Sequence, residues 1–309
     1  MPDVLWTPVQ DFSYPAGWSA TSPEDAATLR CRQLEQGEIL FFDRLPFDLP
    51  GSDREFLLGQ NWSEMRLHKN VSYRPIEGRL NGFAGDPAAR ERLHGILQNY
   101  SREAVKFLEN FLSPYAGKWI LDFASFRPLE ERGRNLSLHK RNDLLHVDSF
   151  PTRPTRGGRI LRIFTNLNPT RTRVWQTTTR FDELARKYAM DAGLASIAGK
   201  GSPLSRLRNL VGAALGFGSF SRPAYDRFML RFHDYLKENS AFQANSPKTT
   251  LEFPPMSTWI AFTDGVPHAV LSGQYALEQT FLIRPSALTA PESAPYRILE
   301  SLCGRPLIQ

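Results

Sequence analysis

The spacing of hydrophobic residues changes near residue 118 and divides the chain into two parts. In DPAARERLHGILQNYSREAVKFLENFLSPY, apolar side chains such as Leu93, Ile96 and Leu97 recur every three or four positions. That period predicts one long amphipathic helix. The preceding part of the chain predicts two shorter helices and an entry strand, in EDAATLRCRQLEQG, DREFLLGQ and GEILFFDRLPF respectively.

Beyond residue 118, apolar and polar residues alternate, which is the period of strands with one buried face. The predicted strands are WILDFASFRP, LSLHKRNDLLHVDSF, GRILRIFTNLN, RVWQTTT, PMSTWIAFTD, HAVLSGQ and YALEQTFLIRP. In GRILRIFTNLN, Arg162, Phe164 and Asn166 share one face, and either face of this strand could line the interior. So many strands with helices beside them predict an α+β fold. Its core would be a double-stranded β-helix (jelly roll, cupin-like) with flanking helices.

The chain is predicted to be a single domain with three kinds of segment. They are helix-rich support in 1–117, jelly-roll strands in 118–180 and 246–290, and a helical insertion in 181–245. Within the insertion, residues 203–220 combine a leucine stripe with arginines and end in aromatic residues. Such a segment either lies on an anionic membrane as a lip of the site or packs on the barrel.

Composition narrows the class of protein further. The 309 residues are 41% hydrophobic, which is enough for a full core, and the net charge of +6 favours anionic partners. The two cysteines, Cys31 and Cys303, are far apart and predict no disulfide framework, so a reducing compartment is favoured. The N-terminus has no signal-peptide pattern, and no apolar run is long enough to span a membrane. These features predict a cytoplasmic protein.

The first candidate site is His146 and Asp148, two positions apart in a run that the pattern predicts to be a strand. Residues at that spacing point to one face of a strand. With a distant His268 they could form the facial triad that binds non-haem Fe(II) and leaves coordination positions open. The bare His-x-Asp pair is weak evidence because it also arises by chance. His268 lies 120 residues beyond Asp148, so the triad requires a fold that brings remote strands together.

A second feature strengthens the triad. Arg284 follows His268 by sixteen residues and ends a predicted strand. Its guanidinium can bind a carboxylate through two parallel hydrogen bonds. A triad followed by a carboxylate receptor is the equipment of a 2-oxoglutarate-dependent oxygenase, which also uses O2. Arg162 and Asn166 are further candidates for the co-substrate pocket, if their face of the strand lines the barrel.

The segments HVDSFPTRPTRGGRILRIFTNLNPTRTRVW and VPHAVLSGQYALEQTFLI resemble the Kdo 3-hydroxylases, Fe(II)/2-oxoglutarate dioxygenases of Gram-negative bacteria. The resemblance implies hydroxylation at position 3 of the Kdo (3-deoxy-D-manno-oct-2-ulosonic acid) sugar of Kdo-lipid A, giving Ko, with succinate and CO2 as co-products. It implies that His146, Asp148 and His268 bind iron and that Arg284 receives the co-substrate. It also implies a role in lipopolysaccharide biosynthesis, peripheral to the cytoplasmic face of the inner membrane.

Basic residues cluster around the candidate triad. The candidates for contact with an anionic substrate are Lys140, Arg141, Arg153, Arg156 and Arg159. Arginine suits the recognition of carboxylates and phosphates, and Kdo-lipid A carries both. A solvated basic face is the ordinary alternative for such charges.

Three other functions remain open at this point. An oxygenase of the same superfamily on another anionic lipid or metabolite would share the metal and co-substrate residues. A noncatalytic jelly-roll module could bind acidic glycan or nucleic acid, although it would not need the triad; no nucleic-acid partner is expected. Zinc in a His/Asp/His site is conceivable, but no further carboxylate is clearly placed as a hydrolytic base.

Overall fold

The computed structural model describes residues 6–9, 24–62, 70–199 and 222–308. Two sheets face each other as a jelly roll, as predicted, with helices on the outside. The strands are β1 (Trp6–Pro8), β2 (Ile39–Phe42), β3 (Val71–Arg74), β4 (Arg79–Asn81), β5 (Trp119–Arg127), β6 (Arg159–Asn166), β7 (Arg173–Thr177), β8 (Thr249–Phe253), β9 (Thr258–Phe262), β10 (His268–Ser272) and β11 (Ala276–Ile283).

The major sheet has the strand order β1-β2-β9-β6-β11-β5-β3-β4, and the minor sheet has the order β10-β7-β8. Within the major sheet the pairings are antiparallel except that of β1 with β2. Strands that are neighbours in space are therefore often remote in sequence. This topology brings the start of β10 into backbone contact with the segment that precedes β6.

Helices cover the outside. They are α1 (Glu24–Glu35), α2 (Gly51–Gly59), α3 (Pro87–Phe111), α4 (Phe181–Tyr188), α5 (Leu194–Gly199), α6 (Ala224–Glu238), α7 (Ser240–Asn245) and α8 (Pro295–Cys303). The long helix α3 begins at the start of the predicted segment DPAARERLHGILQNYSREAVKFLENFLSPY. Asp86 caps it by accepting a hydrogen bond from the amide of Ala89, and Pro87 follows in the first turn.

The two faces of the major sheet pack against different partners. Leu161, Ile163 and Phe281 point outward into one core with α3. The alternate residues point inward, where Phe164 and Trp259 meet Trp175 of β7. Because side chains alternate along a strand, Arg162 lies on the inward face with Phe164. The structure thereby settles which face of β6 lines the barrel.

The N-terminal part of the chain contributes more than helical support. Strands β1 and β2 extend the major sheet at one edge, whereas β3 and β4 extend it at the other. The first pair continues the sheet beyond β9, and the second pair lies beside β5. The end of β3 and the turn that follows it, residues 74–77, form one end of a cavity that also includes Phe150.

Two strand predictions need correction. Residues 136–150 are not a strand: they contain a short 3-10 turn at Leu138–Lys140 and a single β-bridge between His146 and His268. Strand β8 was not among the predicted strands, because its five residues contain only two apolar positions, Leu251 and Phe253. Both errors concern the minor sheet, whose short pairings leave weak sequence signals.

The insertion after β7 is helical where the structure describes it, through α4, α5, α6 and α7. The candidate membrane lip at 203–220 lies outside the described residues. In the part of the chain that can be examined, no helix has the length and apolar character needed to cross a membrane.

Candidate metal centre and active site

The backbone brings the three predicted ligands together. The amide of His146 donates to the carbonyl of His268 at 3.0 Å, and the reverse bond is 2.9 Å. The amide of Asp148 donates to the carbonyl of Thr263 at 2.9 Å. These bonds attach the irregular segment before β6 to both the start of β10 and the end of β9, so all three side chains enter one space.

Their ligand atoms lie within 4.8 Å of one another. The closest contact between His146 and Asp148 is 3.7 Å, from Nε2 to Oδ1. Among the residues that the structure describes, this is the one group of three or more His, Cys, Asp or Glu side chains with such convergence. Two imidazole nitrogens and one carboxylate oxygen on one side of a metal position are the donor set of the non-haem Fe(II) facial triad.

Backbone carbonyls fix the orientation of both imidazoles. The Nδ1 of His146 donates to the carbonyl of Leu144 at 2.7 Å, and the Nδ1 of His268 donates to that of Val266 at 2.9 Å. This assignment places the proton on Nδ1 and leaves the Nε2 lone pair free for a metal. The ring of His268 is held from the side by Trp175, which stacks on it with centroids 4.9 Å apart.

Electrostatics keep the triad in its metal-binding protonation states. Burial lowers the pKa of His146, and the neighbouring His268 lowers it further. Burial also lowers the pKa of His268. Burial raises the pKa of Asp148, but Arg162 and His268 lower it by more, so it stays well below its ordinary value. Neutral imidazoles beside an ionised carboxylate are what metal coordination requires.

A network of charged side chains continues from Asp148 into the barrel. Nη1 of Arg162 lies 3.2 Å from Oδ2 of Asp148 and 3.2 Å from Oε1 of Glu278. Arg127 binds the other oxygen of Glu278 through Nε at 2.8 Å and Nη2 at 2.6 Å. Burial raises the pKa of Glu278, but Arg127 and Arg162 lower it by more, so Glu278 is ionised.

A third buried guanidinium, that of Arg173, lies on β7 two residues before Trp175 and on the same face. Its Nη1 donates to the carbonyl of Gly273 at 3.1 Å, whereas its nearest carboxylate oxygen, from Glu131, is 3.7 Å away. Its Nε is buried without a hydrogen-bond partner. Burial lowers the pKa of Arg173 to about 10, against the opposing effect of Glu131, so the group remains charged at neutral pH. A β-carbon at Gly273 would lie 2.5 Å from Cγ of Arg173, so this arrangement needs glycine there.

Two of the three residues predicted for the co-substrate pocket lie elsewhere. Arg284 is exposed after the last residue of β11, four residues beyond Thr280, the partner of Arg162. That separation is roughly 13 Å along a strand. Asn166 is fully buried, and its side-chain amide binds the neighbouring loops. It donates to the carbonyls of Arg171 and Phe253 and accepts from the backbone amide of Asn168. It stabilises the barrel end and has no group left for a ligand.

Of the five predicted substrate contacts, Arg153 alone lines the cavity beside the triad described below. Arg159 points to the opposite face of β6, where it pairs with Asp264 at 2.8 Å, so its side chain does not face the triad. Arg141 is paired with Asp143 on the surface, and Lys140 and Arg156 are exposed. The alternation of side chains along β6 explains why Arg159 and Arg162 diverge.

Sequence reasoning gave no site role to four residues, Arg127, Arg173, Trp175 and Glu278. A carboxylate within the strand YALEQTFLIRP was a usable signal, because a buried charge needs partners. The arginines offered none, because their sequence context resembles that of the surface arginines around them.

A jelly roll whose interior holds two histidines and a carboxylate on one side of a metal position defines the class of non-haem Fe(II) oxygenases. Within that class, residues 17–306 match the model of the 3-deoxy-D-manno-oct-2-ulosonic acid (Kdo) hydroxylase family. The chain belongs to this family, as the sequence resemblance predicted. It is therefore an enzyme, which decides against the noncatalytic binding module.

Solved structures agree with the family. A Kdo hydroxylase, KdoO, described as a non-heme Fe(II) alphaketoglutarate-dependent dioxygenase in complex with alphaketoglutarate and Fe(III), is 32% identical with a TM-score of 0.81. That match covers 99% of this chain and 97% of the other. The succinate and Fe(III) complex gives 32% and 0.82, covering 98% and 97%, and the apo form gives 32% and 0.81, covering 100% and 98%. None of the curated proteins matches the chain.

Proposed function

We propose that this protein hydroxylates the Kdo sugar at position 3 with Fe(II), 2-oxoglutarate and O2, and that His146, Asp148 and His268 are the iron ligands. The observation that carries the assignment is the convergence of their ligand atoms within 4.8 Å in a chain of this family. Iron bound there supplies the activation of oxygen, for which amino-acid side chains alone are not equipped. The remaining task of the protein is to bind, orient and exclude water.

The charges of the barrel interior support a doubly negative co-substrate. Once Asp148 is committed to the metal, the carboxylates near Arg127, Arg162 and Arg173 are Glu131, Glu278 and, farther away, Glu130, and a fourth cation, Arg134, shares Glu131. Together with the triad and a divalent iron, this leaves two uncompensated positive charges. The two carboxylates of 2-oxoglutarate would neutralise them, and a buried charge without a partner is costly.

We assign the distal carboxylate of 2-oxoglutarate to Arg173. Two positions along β7 separate it from Trp175, which stacks on His268, so it lies roughly 7 Å deeper in the barrel than the ligand end. Its guanidinium also keeps an unpartnered Nε, whereas Nε and Nη2 of Arg127 are both engaged by one oxygen of Glu278. Arg162, in contact with Asp148, would orient that carboxylate and face the reacting end of the co-substrate.

The reaction is tested by measuring succinate from 2-oxoglutarate with Fe(II), in air and under anaerobic conditions, with and without a Kdo acceptor. We expect oxygen-dependent succinate that rises with the acceptor and a gain of one oxygen atom on the sugar, seen by mass spectrometry. Succinate formation that does not change with any Kdo acceptor would instead indicate another oxygenase of the superfamily. A protein that binds iron but makes no succinate would contradict the proposal.

We further propose that the acceptor is Kdo on lipid A and that the enzyme acts at the cytoplasmic face of the inner membrane. The net charge of +6 favours an anionic surface. Two large apolar side chains, Ile76 at 78% exposure and Ile120 at 45%, lie on the rim of the cavity beside the triad. Exposed aliphatic residues near a basic site suit contact with a lipid surface.

The membrane proposal predicts that the full chain floats with vesicles containing anionic lipid and stays behind with neutral phosphatidylcholine vesicles. Ile76→Glu should lower the floated fraction severalfold, because it places a charge on the apolar rim. Met190→Glu, which changes another exposed apolar residue on the far helical side, serves as the control. Absence of flotation with the anionic vesicles would contradict membrane binding, and equal flotation with both vesicle types would contradict its dependence on anionic lipid.

A further inference from the structure

A cavity of about 600 Å³ lies beside the triad and crosses the major sheet. Its residues include Arg74, Asp122, Phe123, Phe150 and Arg153. Phe150 connects it with the metal site, since Arg153 stacks over this ring at 4.3 Å and Arg162 lies 5.7 Å from its centroid. We call this cavity the trench.

One row of residues across neighbouring strands joins Arg162 to the trench, which includes Asp122, Phe123 and Arg74 of that row. Arg162 of β6 pairs in register with Thr280 of β11. On the next strand, β5, the register shifts so that both Asp122 and Phe123 stand opposite Thr280. This is a β-bulge, a feature that redirects side chains and is frequent beside active sites.

Beyond the bulge the row reaches the edge hairpin. Tyr73 of β3 pairs with Ala124, which places Arg74 beside Phe123. The guanidinium of Arg74 lies 4.7 Å from the Phe123 centroid, and that of Arg153 lies 4.0 Å from the same ring. Three strand spacings separate Arg162 from Arg74, or roughly 14 Å. The distance from Arg162, beside the triad, to Arg74 in the trench is therefore longer than one sugar ring.

Each arginine of the trench has one carboxylate partner and one unused donor. Arg153 pairs with Asp122 at 3.0 Å, Arg74 pairs with Glu77 at 2.8 Å, and the Nε of each arginine is buried without a hydrogen-bond partner. Burial lowers the pKa of Arg153, Asp122 opposes this effect, and the nearby charges of Arg162 and Arg74 lower the pKa further. Like charges held together by stacking on an aromatic ring, with unused donors, form a receptor for an anion.

Building on the proposed function, we propose that the trench determines acceptor specificity: Arg74 and Arg153 bind a second anionic group on the acceptor, on the unit joined to the Kdo sugar that is hydroxylated. That group is a carboxylate or a phosphate, the two anions that a guanidinium fork fits. The stacked Phe123 supports both guanidinium groups, and the apolar wall of Ile120 and Leu282 contacts the sugar ring between the two anions.

Three acceptors, all without acyl chains, test this inference. They are the methyl glycoside of Kdo, a Kdo disaccharide with a second carboxylate, and Kdo joined to a phosphorylated glucosamine disaccharide. The wild type should show a lower KM for at least one extended acceptor than for the methyl glycoside. Whichever extended acceptor shows the lower KM identifies the second anion as carboxylate or phosphate.

Arg74→Gln should raise the KM for that extended acceptor about tenfold, the effect of losing one charge-assisted contact. It should leave kcat and the KM for the methyl glycoside nearly unchanged. Arg153→Gln should act in the same direction. Arg74→Gln is the cleaner variant because it keeps the Asp122–Arg153 pair intact.

Arg79→Gln is the matched control, because Arg79 and Arg74 pair with the same Glu77 from one hairpin, but Arg79 does not line the trench. Its KM values should equal those of the wild type. Unchanged KM in both trench variants, or equal losses with Arg79→Gln, would overturn the inference while leaving the hydroxylase intact. Failure of the wild type to hydroxylate any Kdo acceptor would instead overturn the proposed function.

Discussion

Replacing Asp148 with alanine is expected to lower the affinity for Fe(II) by more than about 100-fold and to leave less than about 1% of acceptor hydroxylation. Loss of an outer partner of a metal ligand already costs roughly 10- to 100-fold, so loss of the ligand itself should cost more. The variant also removes the one negative charge among the three ligands. Iron content after anaerobic reconstitution and succinate formation measure the two effects.

Controls separate loss of the metal from loss of the fold. Asp148→Asn keeps the volume of the side chain and an oxygen that can accept from Arg162, but it removes the negative charge. This variant should also lose most of its iron affinity. Asp182→Ala removes an exposed carboxylate of α4 and should bind iron as the wild type does. An Asp148→Ala protein with full iron and normal turnover would show that the ligand assignment is wrong.

The fold could be predicted from the sequence because it rests on strong local patterns, whereas the candidate triad rested on a weak motif and on its context. Alternation in segments such as GRILRIFTNLN predicted strands, and β6 and β11 lie where the pattern placed them. His146, Asp148 and His268 could be combined because the predicted jelly roll brings remote strands together. The order in which strands pair, by contrast, is a property of the whole chain and left no signal in any one segment.

The roles of individual arginines could not be predicted from local patterns. Arg159 and Arg162 lie on one strand in similar surroundings, yet one pairs with Asp264 outside the barrel and the other with Asp148 inside. Alternation predicts that they diverge but not which face is the interior. For Arg173, the deciding facts are its burial and its incomplete pairing, and both depend on residues about 40 and 100 positions away.

The trench illustrates a similar limit of sequence reasoning. Its shape depends on a β-bulge at Asp122 and Phe123, which appears as one extra residue in a strand that otherwise alternates. Without the register of β11, WILDFASFRP reads as a regular strand. The bulge therefore becomes visible only when the partner strand is known, and with it the row that joins Arg162 to Arg74.

The arginine that holds the co-substrate is the assignment on which sequence and structure differ most. If Arg173 binds the distal carboxylate, Arg173→Gln should raise the KM for 2-oxoglutarate roughly 10- to 100-fold. The expected loss is that of a hydrogen bond to a charged group, about 1.5 to 3 kcal/mol. Iron affinity should stay close to wild type, because Arg173 contacts none of the three ligands in the structure. Initial rates of succinate formation against 2-oxoglutarate concentration measure the effect.

Arg284→Gln makes the same chemical change at the exposed end of β11 and decides between the two assignments. A surface arginine roughly 13 Å along the strand from the partner of Arg162 should leave the KM for 2-oxoglutarate unchanged. If Arg284→Gln raised the KM and Arg173→Gln did not, the assignment made from the sequence would stand. Arg173 would then stabilise the barrel through its contacts with Glu131 and Gly273. Its removal should lower the midpoint of urea unfolding and leave the affinity for the keto acid unchanged.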